Sequence, residues 1–180
     1  MDSSGSIHGT NFDDAKEVVK DLVMTLDLAS SKDRAALVLF SSSASLEARF
    51  GQYGTVNRFL DFVQKLPKMG GRTRIDKALN RAVNQVFSEA RQEAYKIAIV
   101  LTDGVQSIGA RGLKQTSKPL LDAGVRLLAV GVGTGMNERR LRLMTDRQED
   151  VVNVINIQGR FQKILDELSQ NACSKYLATP

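Results

Sequence analysis

The chain has very few of the residues that build soft-metal or redox sites. Its 180 residues include one cysteine and one histidine, which cannot supply the ligand set of a zinc site or the paired thiols of a redox centre. Cys173 and His8 lie near opposite ends of the sequence and outside any recognisable motif, which argues against a cysteine–histidine nucleophile. From the residues alone, Cys173 is either a small buried hydrophobic residue or half of a disulfide with a partner outside this sequence.

Membrane-spanning and nucleic-acid-binding signals are also lacking. No apolar run approaches the roughly 20 residues that cross a bilayer, and residues 1–6 lack the basic and apolar regions of a signal peptide. The chain has no tryptophan, and its net charge of +5 comes from 25 basic and 20 acidic residues spread along the sequence. We therefore expect no membrane insertion and no nucleic-acid partner. Four arginines form a basic region that is more typical of a solvated helix face than of an acidic-glycan site: Arg139, Arg140, Arg142 and Arg147.

The remaining composition is that of an ordinary globular domain, with 42% hydrophobic residues and three prolines. A chain of this size can bury about 70% of the surface that its unfolded form exposes, so burial alone can stabilise it. The sequence has no internal repeat, linker or low-complexity tract. We therefore interpret residues 1–180 as one domain.

Helical and strand-like apolar patterns alternate along the sequence. Helices are expected at 12–26, 56–66, 75–87, 113–123, 138–144 and 161–168, and strands at 35–40, 46–50, 96–101, 125–130 and 151–155. Thr10 and Asp13 resemble a capping box at the start of the first helix, and Gly124 is expected to end the fourth. The alternation predicts an α/β fold with a doubly wound, mostly parallel central sheet flanked by helices and one antiparallel edge hairpin.

Oxygen-bearing side chains occur where such a sheet binds ligands, at the carboxyl ends of its strands. The segment Thr102-Asp103-Gly104 directly follows the most apolar strand. Asp2, Ser4 and Ser6 alternate ahead of the first helix, so their oxygens can point to one side. Thr73, at the front of the third helix, joins them if these loops meet at the same edge. Five hard oxygen donors without nitrogen or sulfur favour Mg²⁺, Mn²⁺ or Ca²⁺ over zinc or copper.

The charge of this residue set indicates recognition rather than catalysis. Only Asp2 and Asp103 are anionic, so a divalent ion would be just neutralised and would favour a carboxylate from another molecule as an extra ligand. The set offers no positioned base or nucleophile beyond carboxylates committed to the ion, which argues against an enzyme. Taken singly, each motif is more typical of a polar turn or a helix cap than of a metal site.

Three segments together resemble a known family. Asp2-Ser3-Ser4-Gly5-Ser6-Ile7, the stretch 70–79 (Gly-Gly-Arg-Thr-Arg-Ile-Asp-Lys-Ala-Leu) and the stretch 99–104 (Ile-Val-Leu-Thr-Asp-Gly) look like the metal-ion-dependent adhesion site of von Willebrand factor type A domains. The resemblance covers nearly the whole chain and implies a central sheet of six strands flanked by helices. It further implies that Ser4, Ser6 and Thr73 bind the metal directly, while Asp2 and Asp103 act directly or through water.

The resemblance also implies a function and a compartment. The stretch 70–76 and the spacing from Leu168 to Cys173 look most like extracellular matrix and adhesion members of the family. The expected function is metal-dependent adhesion to a protein that offers Glu or Asp, such as collagen or another matrix protein. In that compartment, the resemblance implies a disulfide between Cys173 and a cysteine upstream of this sequence. The alternative is an intracellular member that assists an ATP-driven assembly or chelatase complex.

The start of the chain departs from the family pattern. Family members have an apolar central strand immediately before the first motif, whereas only Met1 precedes Asp2 here. We therefore expect the chain to be an N-terminally truncated fragment in which Met1 is the last residue of that strand. A dinucleotide site at 131–135 is disfavoured, because Met136 stands where the third glycine of the fingerprint belongs.

Overall fold

The computed structural model describes residues 1–133, 135–154, 159, 161–163 and 166. Its α-helices are α1 (Gly9–Met24), α2 (Val56–Gln64), α3 (Ile75–Arg81), α4 (Leu113–Asp122) and α5 (Glu138–Leu141). Its strands are β1 (Leu37–Phe40), β2 (Ala44–Ala48), β3 (Ile97–Thr102), β4 (Arg126–Gly131) and β5 (Val151–Asn153). A π-helical turn and a 3₁₀ turn continue α3, at Ala82–Val86 and Phe87–Glu89, and a second 3₁₀ turn at Gln148–Asp150 precedes β5.

The strands form two ladders that a short segment joins. β1 and β2 make an antiparallel hairpin, and β3, β4 and β5 pair in parallel in that order. The segment 1–3 lies between the two ladders, since Asp2 forms a parallel bridge with Phe40 of β1 and its backbone N–H donates to the carbonyl of Leu101 in β3, 2.9 Å away. The order across the molecule is therefore β2, β1, the segment 1–3, β3, β4, β5.

Successive residues of β4 pack on opposite faces of the sheet. Leu128 and Val130 belong to a core with residues of α1 and α2, whereas Leu127 and Ala129 belong to a core with residues of α3 and α4. Both cores are apolar because a parallel sheet with helices on each side must bury both of its faces. The predicted α/β fold, a mostly parallel sheet flanked by helices, is confirmed.

β3 is less covered than the sequence indicates. Its apolar run predicts a strand buried on both faces, yet Ile97, Ala98 and Ile99 are only half-buried, and burial is complete from Val100 onward. The difference follows from the pairing of β3. Within the described residues, its edge towards β1 is met by the segment 1–3, which bonds to Leu101 near the end of the strand.

Two local predictions are wrong. The residue at the N-cap of α1 is His8, in an extended conformation and without a side-chain capping bond, so Thr10 and Asp13 form no capping box. The stretch 75–87 is also not one α-helix, because its backbone changes to π-helical geometry at Ala82. The other boundaries shift by a few residues, as is usual at fraying ends.

The remaining sequence-based expectations concern the C-terminal part of the chain. Gly124 follows α4 with a φ of 72°, a conformation that glycine adopts without strain, so the expected end of this helix is confirmed. Of the last predicted helix, 161–168, the described residues 161–163 and 166 are helical, as is residue 159, and Phe161 is buried against the α1–α2 core. Cys173 lies outside the described residues. No helix in the described part of the chain is both long and apolar enough to cross a membrane.

The packing of β4 generates a stability prediction. Leu128 is fully buried, so Leu128→Ala should lower the free energy of unfolding by about 2–5 kcal/mol through lost burial and a residual cavity. Leu143→Ala is the matched control, because Leu143 is exposed and its truncation should cost less than about 0.5 kcal/mol. Urea denaturation measures both. Equal losses in the two variants would contradict the assignment of β4 to the core.

Candidate metal and recognition site

The three polar segments singled out in the sequence meet at the carboxyl edge of β3. Asp103 directly follows this strand, the loop that starts at Asp2 leads from the sheet into α1, and Thr73 lies just ahead of α3. Backbone hydrogen bonds hold the loops together, with Gly5 donating to the carbonyl of Gly71 at 2.8 Å and Gly70 donating to that of Ser3 at 2.8 Å. The fold thus brings distant residues to one place, since Ser4 and Thr73 are 69 positions apart in the sequence and form a hydrogen bond.

Three hydroxyl groups form a triangle at the centre of this edge. The oxygens of Ser4 and Thr73 are 2.8 Å apart, and the oxygen of Ser6 lies 3.2 Å from each of them. Ser4 and Thr73 are buried, while Ser6 is exposed. Two corners of the triangle, Ser4 and Thr73, are therefore buried, and the third corner, Ser6, is accessible to solvent.

The size of this triangle matches the coordination shell of a small hard cation. Oxygen ligands lie about 2.0–2.1 Å from Mg²⁺ in an octahedron, so two neighbouring ligands are about 2.8–3.0 Å apart. The hydroxyl separations of 2.8–3.2 Å fall close to that range. The donor set consequently fits one triangular face of an octahedral site.

Asp2 lies two residues before Ser4 of the hydroxyl triangle and is 1% exposed. One carboxylate oxygen accepts a hydrogen bond from the backbone N–H of Ser4 at 2.8 Å, and the other accepts from the hydroxyl of Thr102 at 2.6 Å. Burial raises the pKa of the Asp2 carboxyl above its ordinary value of 3.8, and these hydrogen bonds only partly oppose the shift. A nearby cation would reverse that balance by favouring the charged form.

Asp103 supplies the second carboxylate and is also buried. Its Oδ1 accepts from the backbone N–H of Val105 at 2.8 Å, and its carbonyl accepts from the N–H of Asn137 at 2.8 Å. The negative charge of Asp103 contributes to the raised pKa of Asp2, which puts the two carboxylates within electrostatic reach of each other. Two buried like charges at one edge leave the site short of positive charge.

Two residues that the sequence did not single out support the site. The hydroxyl of Ser107 accepts from the N–H of Thr73 at 3.0 Å, and the N–H of Ser107 donates to the carbonyl of Thr73 at 3.0 Å. The ammonium group of Lys68 donates to the carbonyls of Ser3 and Ser4. Both contacts join distant parts of the chain, so no local sequence pattern signals them. Thr102 lies inside a recognised motif, but its bond to Asp2 becomes visible only in the fold.

The other candidate groups lie outside this arrangement. Within the described ranges, no cluster of three or more His, Cys, Asp and Glu side chains could hold a metal ion. His8 is exposed. A side chain at Gly131 would overlap with Sδ of Met136, so close packing explains the first glycine of the run that resembles a dinucleotide fingerprint. The five oxygen donors at the end of β3 therefore remain the metal-site candidate.

Comparison with curated proteins identifies relatives that match most of the chain. The human collagen alpha-1(XXI) chain is 24% identical over 97% of this chain, and human matrilin-1 is 30% identical over 77% of it. These alignments cover 18% of the collagen chain and 28% of matrilin-1, so the chain spans less than a third of either relative.

Solved structures with the same fold include two with metal. Proximal thread matrix protein 1 from the mussel byssus, described as having a zinc-occupied metal-ion-dependent adhesion site motif, superposes with a TM-score of 0.78 at 27% identity. That match covers 91% of this chain and 42% of the mussel chain. The manganese-loaded TRAP protein of Plasmodium vivax superposes with a TM-score of 0.72 at 25% identity, over 85% of this chain and 65% of its own. The von Willebrand factor type A domain model matches residues 1–167, and the chain belongs to that family.

Proposed function

We propose that this domain is a metal-dependent adhesion module of an extracellular matrix or cell-surface protein. Ser4, Ser6 and Thr73 bind a divalent cation through their hydroxyls, while Asp2 and Asp103 balance its charge directly or through water. The cation is Mg²⁺ or Mn²⁺, with Ca²⁺ as a third option. A Glu or Asp side chain of a partner protein completes the coordination shell, so the metal bridges the two proteins.

The observation that carries this proposal is the triangle of hydroxyl oxygens. Its 2.8–3.2 Å edges are close to the spacing of neighbouring ligands around Mg²⁺. Such a preformed set costs little reorganisation when the ion binds. Two superposed structures support a divalent ion, because one is described as having a zinc-occupied metal-ion-dependent adhesion site motif and the other as manganese-loaded.

The charge of the site supports a bridging role for the ion. Neutral hydroxyls donate weakly, and the oxygens of Asp2 are already engaged by Ser4 and Thr102. A bound divalent ion would keep much of its affinity for anions, and a carboxylate is a hard oxygen ligand that suits it. The partner's carboxylate would therefore add both charge and a ligand that the protein itself does not supply.

The relatives favour a matrix protein over an intracellular assembly factor. Collagen chains, matrilin-1 and a byssal thread matrix protein are among the similar proteins, which supports an extracellular compartment. A binding role also suits the chemistry, because both carboxylates are committed to supporting the ion and neither is available as a base. Collagen or another matrix protein is the partner class that we propose.

Metal binding should raise the thermal stability of the 180-residue chain. At 100 times its Kd, Mg²⁺ adds about 2.7 kcal/mol, which corresponds to an increase in Tm of about 5–10 °C for a domain of this size. Ser4→Ala and Thr73→Val should each abolish the increase, because each removes one corner of the triangle. Ser43→Ala, at an exposed serine outside the site, is the control. Calorimetry with and without Mg²⁺ makes the measurement, and an unchanged increase in both site variants would refute the assignment.

Asp2→Asn should stabilise the metal-free chain and remove its response to Mg²⁺. The pKa of folded Asp2 is raised, so its contribution to stability is present below pH 3.8 and is lost as pH rises through the raised value. Relative to acidic pH, Asp2 therefore lowers the free energy of unfolding at neutral pH. In EDTA at pH 7, Tm of the variant should increase by at least about 2 °C.

The control for this change is Asp61→Asn, at an exposed aspartate in α2, which should leave Tm and the Mg²⁺ response unchanged. Thermal melts of both variants in EDTA and in Mg²⁺, at pH 7 and pH 4, separate the effects. A lower Tm for Asp2→Asn than for the parent chain in EDTA would show that its hydrogen bonds outweigh its burial.

Adhesion should depend on both the ion and carboxylates of the partner. Binding of the chain to a surface coated with extracted extracellular matrix should occur in Mg²⁺ and be lost in EDTA. Treating the coated surface with carbodiimide and ammonia converts carboxylates to amides and should also abolish binding. Ser4→Ala provides the matched chain without a metal site. Retained binding in EDTA would place recognition on another face of the domain.

A further inference from the structure

Half of the large exposed apolar side chains in the described part of the chain lie in the loops of the candidate metal site. Six large apolar residues are exposed within the described part of the chain: Met24, Met69, Tyr95, Val105, Ile108 and Leu143. Three of them, Met69, Val105 and Ile108, lie in the loops that form the site, and we call these three the apolar rim. Ile108 is 99% exposed, so it makes almost no contact that would explain an isoleucine there by folding.

Hydrogen bonds fix the position of each rim residue relative to the site. The N–H of Met69 donates to the hydroxyl of Ser3 at 2.7 Å, and the N–H of Val105 donates to the carboxylate of Asp103 at 2.8 Å. Ile108 follows Ser107, whose hydroxyl accepts from the N–H of Thr73 at 3.0 Å. Each rim residue is thus held, directly or through its neighbour, against a residue of the site or of its loops.

Two of the remaining exposed apolar residues belong to the opposite edge of the sheet. Met24 is the last residue of α1, a helix that begins next to the site, and Tyr95 precedes the amino end of β3. They provide natural comparisons for the rim, since they are also large, apolar and exposed but lie far from the site loops.

Exposed arginines lie in the same loops and in the neighbouring helix α5. Arg72, Arg111 and Arg140 are exposed and form no ion pair with any described residue, and the guanidinium of Arg140 donates to the carbonyl of Gln106 at 3.5 Å. The neighbouring acidic side chains are already paired, Asp76 with Arg74 and Glu138 with Arg142. The edge therefore presents positive charge and apolar surface together.

We infer that the partner segment is an acidic stretch of polypeptide in which a large apolar residue lies next to the metal-binding carboxylate. This inference rests on the proposed function, because the carboxylate is the one that binds the cation. The apolar side chain packs on Met69, Val105 and Ile108, and further acidic residues face the arginines. The rim then selects among carboxylates that the ion alone would accept equally.

An acidic glycan is complementary to only part of this surface. Its sulfate or carboxylate groups would pair with the arginines, but its polar rings would leave the apolar rim without a complementary partner. A polypeptide supplies the carboxylate, the apolar side chain and the additional charge in one segment. The glycan is therefore the alternative that the experiment must distinguish.

Selection from a random peptide library tests this inference directly. Peptides displayed on phage are selected on the immobilised 180-residue chain in Mg²⁺ and released with EDTA. The recovered sequences should share Asp or Glu adjacent to Leu, Ile, Phe or Met. For the best peptide, Ile108→Ser and Met69→Ser should each raise Kd about tenfold through lost apolar burial. Met24→Ser, the matched control, should leave Kd unchanged.

The outcomes separate this inference from the proposed function. The inference would be overturned if the recovered peptides shared an acidic residue without an apolar neighbour, or if Kd stayed within twofold in both rim variants. In either case, EDTA-sensitive binding of the peptides would still support the metal bridge. Displacement of the peptide by heparin, with equal heparin affinity in the rim variants, would assign the arginines to a glycan and overturn it as well. No EDTA-sensitive peptide and no Mg²⁺-dependent increase in Tm would refute both.

Discussion

Both the sheet and the candidate site depend on the backbone hydrogen bonds of the segment 1–3. Phe40 donates to the carbonyl of Met1 at 3.1 Å and accepts from Ser3 at 2.8 Å, while Asp2 donates to Leu101 at 2.9 Å. These bonds join the antiparallel hairpin to the three parallel strands. They also fix the start of the loop that carries Ser4 and Ser6. Any change that weakens these bonds would therefore disturb two features together: the connection between the two ladders, and the hydroxyl triangle.

Burial of Asp2 links the stability of the fold to the chemistry of the site. The carboxylate gains hydrogen bonds from Ser4 and Thr102, yet burial still raises its pKa, and Asp103 adds a second negative charge nearby. A divalent ion would relieve both problems by favouring the ionised carboxylates. The unfavourable electrostatics of this edge would thus give a bound cation a large effect on the stability of the domain.

Much of the fold and the residues of the candidate site could be predicted from the sequence, because periodic apolar residues mark the helices and strands and the oxygen donors occur in motifs. Contacts between distant segments could not be predicted. The N-cap at His8 depends on how the chain leaves the Ser6 loop, and the bond from Thr73 to Ser107 spans 34 residues. The half-burial of Ile99 likewise depends on the segment that pairs with β3. The apolar sequence of the strand does not indicate its pairing partner.

The exposed rim would solve a selectivity problem that the proposed metal site creates. A cation held mainly by neutral hydroxyls would attract any accessible carboxylate, and acidic side chains are common on protein surfaces. Coordination alone therefore gives affinity without much selectivity, and selectivity requires contacts that differ between partners. An apolar side chain such as that of Ile108 adds binding energy only when the partner offers apolar surface at the right distance from its carboxylate. Ile108 directly follows Ser107, which is hydrogen-bonded to Thr73. The loops that position the hydroxyl triangle therefore also set the distance between the triangle and the apolar side chain of Ile108.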